Sequence, residues 1–270
     1  MRNFRTLGIF GWIYTWLIVL FVLAPVIIMV PASFGASDVL EFPPSEYSLR
    51  WYQQVLTERQ WVASAMLSGR IALLAAAIAT ISGLMVAILH LLVRPVGAQM
   101  RAFLMLPIVA PNIVLATGLF SILLLTRQLG SPLVLAIAHA SLALPLTMIV
   151  LVNATNSIDP LLWTAARTLG APWWTAFGRV ILPLMITSTV VGFVLALIVS
   201  WDEVTFAIFI GPSLNPTLPA RMFYYLRELI TPALTAVATL LVLATIAGAL
   251  IVGFARRLGS IPAGNTGDNS

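Results

Sequence analysis

Residues 180–201 read Val-Ile-Leu-Pro-Leu-Met-Ile-Thr-Ser-Thr-Val-Val-Gly-Phe-Val-Leu-Ala-Leu-Ile-Val-Ser-Trp, 22 residues between Arg179 and Asp202 without a charge. About 20 apolar residues suffice for a helix to cross the hydrocarbon core of a bilayer. Lipid offers the backbone no hydrogen bonds, so such a run folds as a helix that satisfies its own N–H and C=O groups. Five more uncharged windows, each at least as long, separate Arg5 from Asp38, Arg70 from Arg94, Arg101 from Arg127, Arg127 from Asp159, and Glu228 from Arg256. The expected fold is all-α, a polytopic membrane protein with six transmembrane helices.

Composition narrows the chemistry. Hydrophobic residues make up 60 % of the chain and charged residues 9 %, against roughly 45–50 % and 25 % in soluble proteins. All 14 basic residues are arginines. A P-loop needs a lysine against the nucleotide phosphates, so the chain holds no ATPase site of that kind. Driven work would draw on a partner or an ion gradient. The absence of cysteine excludes disulfides and thiolate metal sites. His90 and His139 are isolated, and read as hydrogen-bonded helix residues rather than metal ligands.

The net charge of +5 orients the protein and calls for no nucleic-acid partner. With both termini cytoplasmic, that side carries Arg2, Arg5, Arg94, Arg101, Arg167, Arg179, Arg256 and Arg257 against Asp159 and Asp268. The other side carries Arg50, Arg59, Arg127, Arg221 and Arg227 with Asp38, Glu41, Glu46, Glu58 and Glu228. Arginine near helix ends favours the cytoplasmic face. The apolar run after Arg5 exceeds a signal-peptide core and reads as an uncleaved first span.

The expected spans lie near 7–30, 64–92, 102–125, 133–154, 184–201 and 233–254. Pro107 and Pro111 break the third near its start, and Pro145 kinks the fourth. Residues 48–56 suit a short interfacial helix, and the prolines of 211–219 rule out a continuous span there. The polar tail 258–270 reads as disordered.

Between the fourth and fifth spans lies the one substantial loop on the cytoplasmic side, 159–183. Asp159 is a good N-cap and Pro160 suits the first helical position. Gly170 can take the left-handed residue that ends a helix, with Pro172 just beyond. A second short helix is expected from Pro172 to just before Pro183. On the first helix Leu161, Leu162, Ala165, Ala166 and Leu169 share one arc, with Trp163, Thr164, Arg167 and Thr168 opposite. So short a helix is marginal alone; its arc needs another protein's groove or its own bundle.

This loop resembles the "EAA" loop of binding-protein-dependent ABC transporter permeases: Glu-Ala-Ala, three residues, Gly, nine residues, then Ile-x-Leu-Pro. Ala165, Ala166, Gly170 and Val180-Ile181-Leu182-Pro183 match it, with Val for the first Ile. Thr164 replaces the glutamate, and with it the capping or ion-pairing carboxylate. The resemblance covers most of the chain and is closest to the spermidine/putrescine permease C-subunit group. Ser68-Gly69-Arg70, Pro107 and Pro111, His139, Leu144-Pro145 and Gly211-Pro212 carry it further. It implies a type-1 transmembrane domain over 1–257, with its core at about 64–254. It also implies that 159–183 is the coupling loop, docked on a cytoplasmic ATPase through Leu161, Leu162, Thr164, Ala165, Ala166, Leu169, Gly170 and Pro183.

The implied partners are a second permease subunit, an ATPase dimer that binds ATP and Mg, an external solute-binding protein and a small solute, in the bacterial inner membrane. The chain itself needs no cofactor. Polyamine-type relatives often carry an acid after the second proline of span three, where this chain has Asn112.

Asp202 and Glu203 are the only acids at membrane depth, and such groups usually face a cavity or partner. With Trp201, Pro107, Pro111 and Asn112 they form the candidate substrate pathway. The alternatives for the two acids are interfacial hydration and an ion pair with Arg70. An ion-driven secondary transporter is the rival reading, yet it favours charges near the midplane. An intramembrane enzyme would need a nucleophile or metal motif that is missing here.

Overall fold

The computed structural model describes residues 2–92, 97–228 and 231–259. Its secondary structure is helical apart from one isolated antiparallel bridge, Gly35 with Tyr47. In chain order the helices are α1 (Arg2–Ala32), α2 (Arg50–Thr57), α3 (Arg59–Leu92), α4 (Ala98–Val109), α5 (Asn112–Thr126) and α6 (Pro132–Thr155). Then follow α7 (Pro160–Thr168), α8 (Trp173–Ala176), α9 (Leu182–Trp201), α10 (Thr205–Ile210), α11 (Leu218–Glu228) and α12 (Pro232–Gly259). Among the described residues four helical stretches are long and apolar enough to cross a membrane: Gly11–Ala32, Arg59–Leu91, Pro132–Thr155 and Trp173–Trp201. The α4–α5 pair counts as a fifth when taken as one span. Of the expected sixth span the described apolar part is the shorter Pro232–Ile246. The expected tail lies outside the described residues from 260 onward, and α12 continues to Gly259.

The chain divides into two compact units. One holds residues 1–58 and 225–270, in which α12 packs on α1 and on the short α2. The expected interfacial helix is α2: Trp51 and Val55 are buried on one side, while Arg50 lies over the Trp51 ring and pairs with Asp38.

The other unit, residues 59–224, is built on α3, α6 and α9. These helices meet through Ala75, Ala76, Ala79, Ala140, Ala143 and Ala196, all buried. Apolar side chains gain little from leaving lipid for one another, so close backbone approach between small residues holds such helices together. Gly83 takes this to its limit: a Cβ there would lie 2.9 Å from Thr147 Oγ1. The Thr147 hydroxyl donates across the interface to the Ala79 carbonyl at 3.1 Å.

The third span differs from a simple kinked helix. It breaks at Ala110, where α4 and α5 diverge by 92°. Pro111 has no N–H and drives the preceding residue into extended backbone; Ala110 has φ −72° and ψ 139°. Pro107 stays inside α4 and breaks nothing.

At the start of α3, buried polar groups staple the 216–221 segment down. Ser64 donates to the Pro216 carbonyl at 2.6 Å, and Ser68 accepts from the Leu218 N–H at 2.7 Å. The buried Arg221 guanidinium donates to Ser64 Oγ and to Gln60 Oε1.

Candidate functional site

Two groups of residues emerge, at opposite ends of α9. The first is the 159–183 loop. Asp159 caps α7, its carboxylate accepting from the Leu161 N–H at 2.9 Å, and Pro160 occupies the first turn. At the other end Gly170 has φ +85°, a value open to glycine but strained for other residues. The Ala171 N–H donates to the Ala166 carbonyl at 3.2 Å and the Gly170 N–H to the Arg167 carbonyl at 3.1 Å, the Schellman pattern. Arg167 also donates to the Ala171 carbonyl at 2.7 Å. This nine-residue helix therefore carries both of its stop signals within itself.

Its sides are unequal. Trp163 turns inward and packs on the cluster of Met148, Leu151, Val152, Ile158, Ile181 and Met185. Leu161 is 70 % exposed and Leu169 88 %, with Leu162 and Ala165 also exposed and Ala166 half-buried. The expected apolar arc is thus turned away from the bundle, and one residue assigned to the opposite side, Trp163, anchors the helix. Thr164, at the position of the motif glutamate, donates to the Pro160 carbonyl at 3.2 Å, and its side chain makes no hydrogen bond outside α7 among the described residues.

The second half of the loop corrects the sequence reading. The helix begun at Trp173 does not stop before Pro183; it passes through one π-helical turn, Phe177–Ile181, into α9. A proline in an α-helix clashes with the carbonyl four residues back. A π turn widens the helix by one residue just before Pro183, and the Leu182 N–H bonds to the Phe177 carbonyl instead. Trp173 and Trp174, stacked edge to face, stand exposed at the start of this rod.

The second group surrounds the far end of α9. Asp202 ends that helix and is exposed, whereas Glu203 is only 9 % exposed. One Glu203 oxygen accepts from the N–H groups of Thr205 (2.7 Å) and Phe206 (3.1 Å), tying down the start of α10. The other accepts from the Asn112 amide at 3.0 Å, at the first residue of α5. The breaks in spans three and five are therefore joined by one carboxylate. Pro111, which makes the first break, adjoins this contact, while Pro107 lies back along α4.

Trp201 lies over Gly69 of α3, whose added Cβ would meet the indole ring at 3.8 Å. Arg70, beside it, is exposed, and no ion pair joins it to either acid. At a similar level His139 Nδ1 and Ser200 Oγ are 2.9 Å apart. His90 Nε2 lies 3.4 Å from Asn156 Oδ1. Both histidines thus have hydrogen-bonding partners. Sequence reasoning missed that Asn112 and Glu203 meet and that Asp202 and Glu203 part company. Only the favourable placement of an acid near a helix N-terminus hinted at it.

The family described as binding-protein-dependent transport system inner membrane component matches residues 79–260. The chain is 29 % identical to the spermidine/putrescine transport system permease protein PotC of Haemophilus influenzae, over 83 % of this chain and 87 % of that one. It is 30 % identical to the putrescine transport system permease protein PotI of Escherichia coli, over 87 % of this chain and 84 % of that one. Among solved structures, a chain of a bacterial ABC transporter involved in the import of the acidic polysaccharide alginate shares the fold. Its TM-score is 0.65 at 16 % identity, covering 95 % of this chain and 98 % of that one. With the family matched over most of its length and its loop geometry in place, this multi-pass membrane chain belongs to the binding-protein-dependent transport system inner membrane components.

Proposed function

We propose that the chain is the permease subunit of an inner-membrane ABC importer for a small cationic solute of the polyamine type. It pairs with a second permease subunit and receives cargo from an external solute-binding protein. ATP and Mg are bound by a separate ATPase dimer, on which α7 docks. The observation that carries the coupling role is α7 itself. It is capped at both ends and anchored by Trp163, with an apolar arc that its own bundle leaves uncovered. Buried apolar surface is worth about 25 cal/mol per Å², so a groove that covers Leu161, Leu162 and Leu169 would gain from them.

The polyamine assignment rests on what the relatives transport and on the acids. The exposed Asp202 forms no ion pair among the described residues, and its charge can attract a cation. Glu203 has a different task, holding the two helix breaks together, so the cation contact passes to Asp202.

With both termini cytoplasmic, reporter fusions within 163–178 read inside and fusions near Glu46 and Asn215 read outside. Uptake into proteoliposomes by the complete complex, with putrescine, spermidine, amino acids and sugars as competitors, tests the cargo. Competition by neutral sugars without competition by polyamines would remove the cation assignment. Uptake that proceeds without the ATPase would favour an ion-driven transporter instead.

A further inference from the structure

At the end of the bundle nearest α7, a small groove of about 70 Å³ runs between α4 and α6. Its walls are Arg101 and Met105 from α4, and Met148, Ile149, Val152 and Asn153 from α6. On both helices the residues follow the same vertical order. Arg101 lies in the first turn of α4 with Met105 one turn deeper; Asn153 lies in the last turn of α6 with Met148 and Ile149 deeper. A polar rim therefore stands above an apolar slot, the layout of an amphiphile at a membrane boundary.

The rim is positively charged and not neutralised by the chain. Neither α4 nor α6 contains an acid. Arg101 and Asn153 are exposed, and their side chains make no hydrogen bond or ion pair among the described residues. The acid that follows α6 in the chain, Asp159, is engaged in capping α7. A guanidinium matches a phosphate with two parallel N–H donors, and basic pockets between transmembrane helices take anionic headgroups.

From this geometry we propose that the groove is a binding site for an anionic phospholipid of the leaflet on the α7 side. Arg101 and Asn153 hold the phosphodiester, and an acyl chain lies along Met105, Met148, Ile149 and Val152. The site contains none of the docking or pathway residues, though Met148 and Val152 also belong to the cluster beneath Trp163, and it requires only that the chain spans a membrane. It therefore stands or falls independently of the cargo.

The test uses the full-length chain in detergent with equimolar dioleoyl phosphatidylglycerol and dioleoyl phosphatidylcholine, bound lipid being counted by native mass spectrometry. Wild type should retain phosphatidylglycerol in preference, and Arg101→Gln should reduce that preference about tenfold, as loss of one charge-assisted contact implies. Arg101→Lys should keep most of it, and Asn153→Leu should weaken it less than Arg101→Gln does. Arg70→Gln, another exposed arginine at the far end of the bundle, should leave it unchanged. Circular dichroism of each variant checks that helicity is intact.

Equal retention of the two lipids by wild type would overturn the proposal, as would equal retention by wild type and Arg101→Gln. An equal loss in Arg70→Gln would reduce the effect to general basicity and overturn it as well. Displacement by glycerol phosphate, which has the charge but no acyl chain, would make the groove an anion site and exclude the lipid. Loss of ATPase co-purification in Arg101→Gln with lipid preference intact would assign the arginine to the protein partner instead.

Discussion

The two ends of α9 solve opposite problems. At the loop end α7 is capped locally by Asp159 and Gly170, and a π turn carries the chain past Pro183, while apolar side chains point outward. At the far end the backbone is broken twice, and a polar side chain turns inward to mend it: Glu203 collects the Thr205 and Phe206 N–H groups and the Asn112 amide. A finished backbone with unfinished apolar surface is what the proposed docking role requires. A broken backbone with satisfied polar groups marks a joint within the chain. Apolar exposure and polar burial, which look like faults in a soluble protein, therefore separate the proposed docking element from the joint at Glu203.

The largest effect that would sharpen this contrast is at Glu203. Glu203→Ala strands three donors, at about 2–4 kcal/mol in all. The purified permease should lose thermal stability in a melting assay, while Asp202→Ala shifts it by less than about 0.5 kcal/mol. Equal effects from both variants would dissolve the distinction drawn between the two acids.

Gly170→Val comes next. It forces a β-branched residue into left-handed backbone, at about 1–3 kcal/mol, confined to the end of α7. Pull-down of the ATPase should fail while the bundle's melting temperature stays near wild type. A collapse of the whole permease would show that the loop is part of the core.

Ala166→Trp should act mainly at the partner surface, since this half-buried position lies on the arc whose leucines are exposed. Overpacking of about 1–3 kcal/mol should appear only in ATPase affinity. Normal co-purification and full uptake would show that α7 is not the docking element.

The smallest effect is Asp202→Asn, which should lower cation uptake a few-fold, leaving basal ATP hydrolysis and assembly unchanged. A parallel drop in all three would mean a structural role.

How well each feature could be read from the sequence follows from its range. Uncharged windows found the helices because a membrane span is a statement about a contiguous run. The ends of α7 were readable because Asp159, Pro160 and Gly170 act within a few residues of themselves. The inward turn of Trp163 was not, since a hydrophobic arc predicts a buried side only when the helix covers itself. The Asn112–Glu203 contact spans 91 positions, and nothing local announces it. Of two prolines in span three, only Pro111 breaks the helix. Arg221 counted as an external charge in the sequence and proves to be a buried fastener on Ser64 and Gln60.

Pro183 misled for a related reason: its penalty depends on the turn before it, and a π turn accommodates the ring. That turn also sets a phase. An α-helix advances 100° per residue, so one extra residue in a turn fixes the azimuth at which everything upstream leaves the rod. Deleting a single residue from 177–181 would return the stretch to α register and swing α7 by about 100° about the axis of α9. Its composition and caps would be untouched, yet its leucines would face a different quarter of the space around the rod. In such a joint, one residue of chain length specifies a compass bearing.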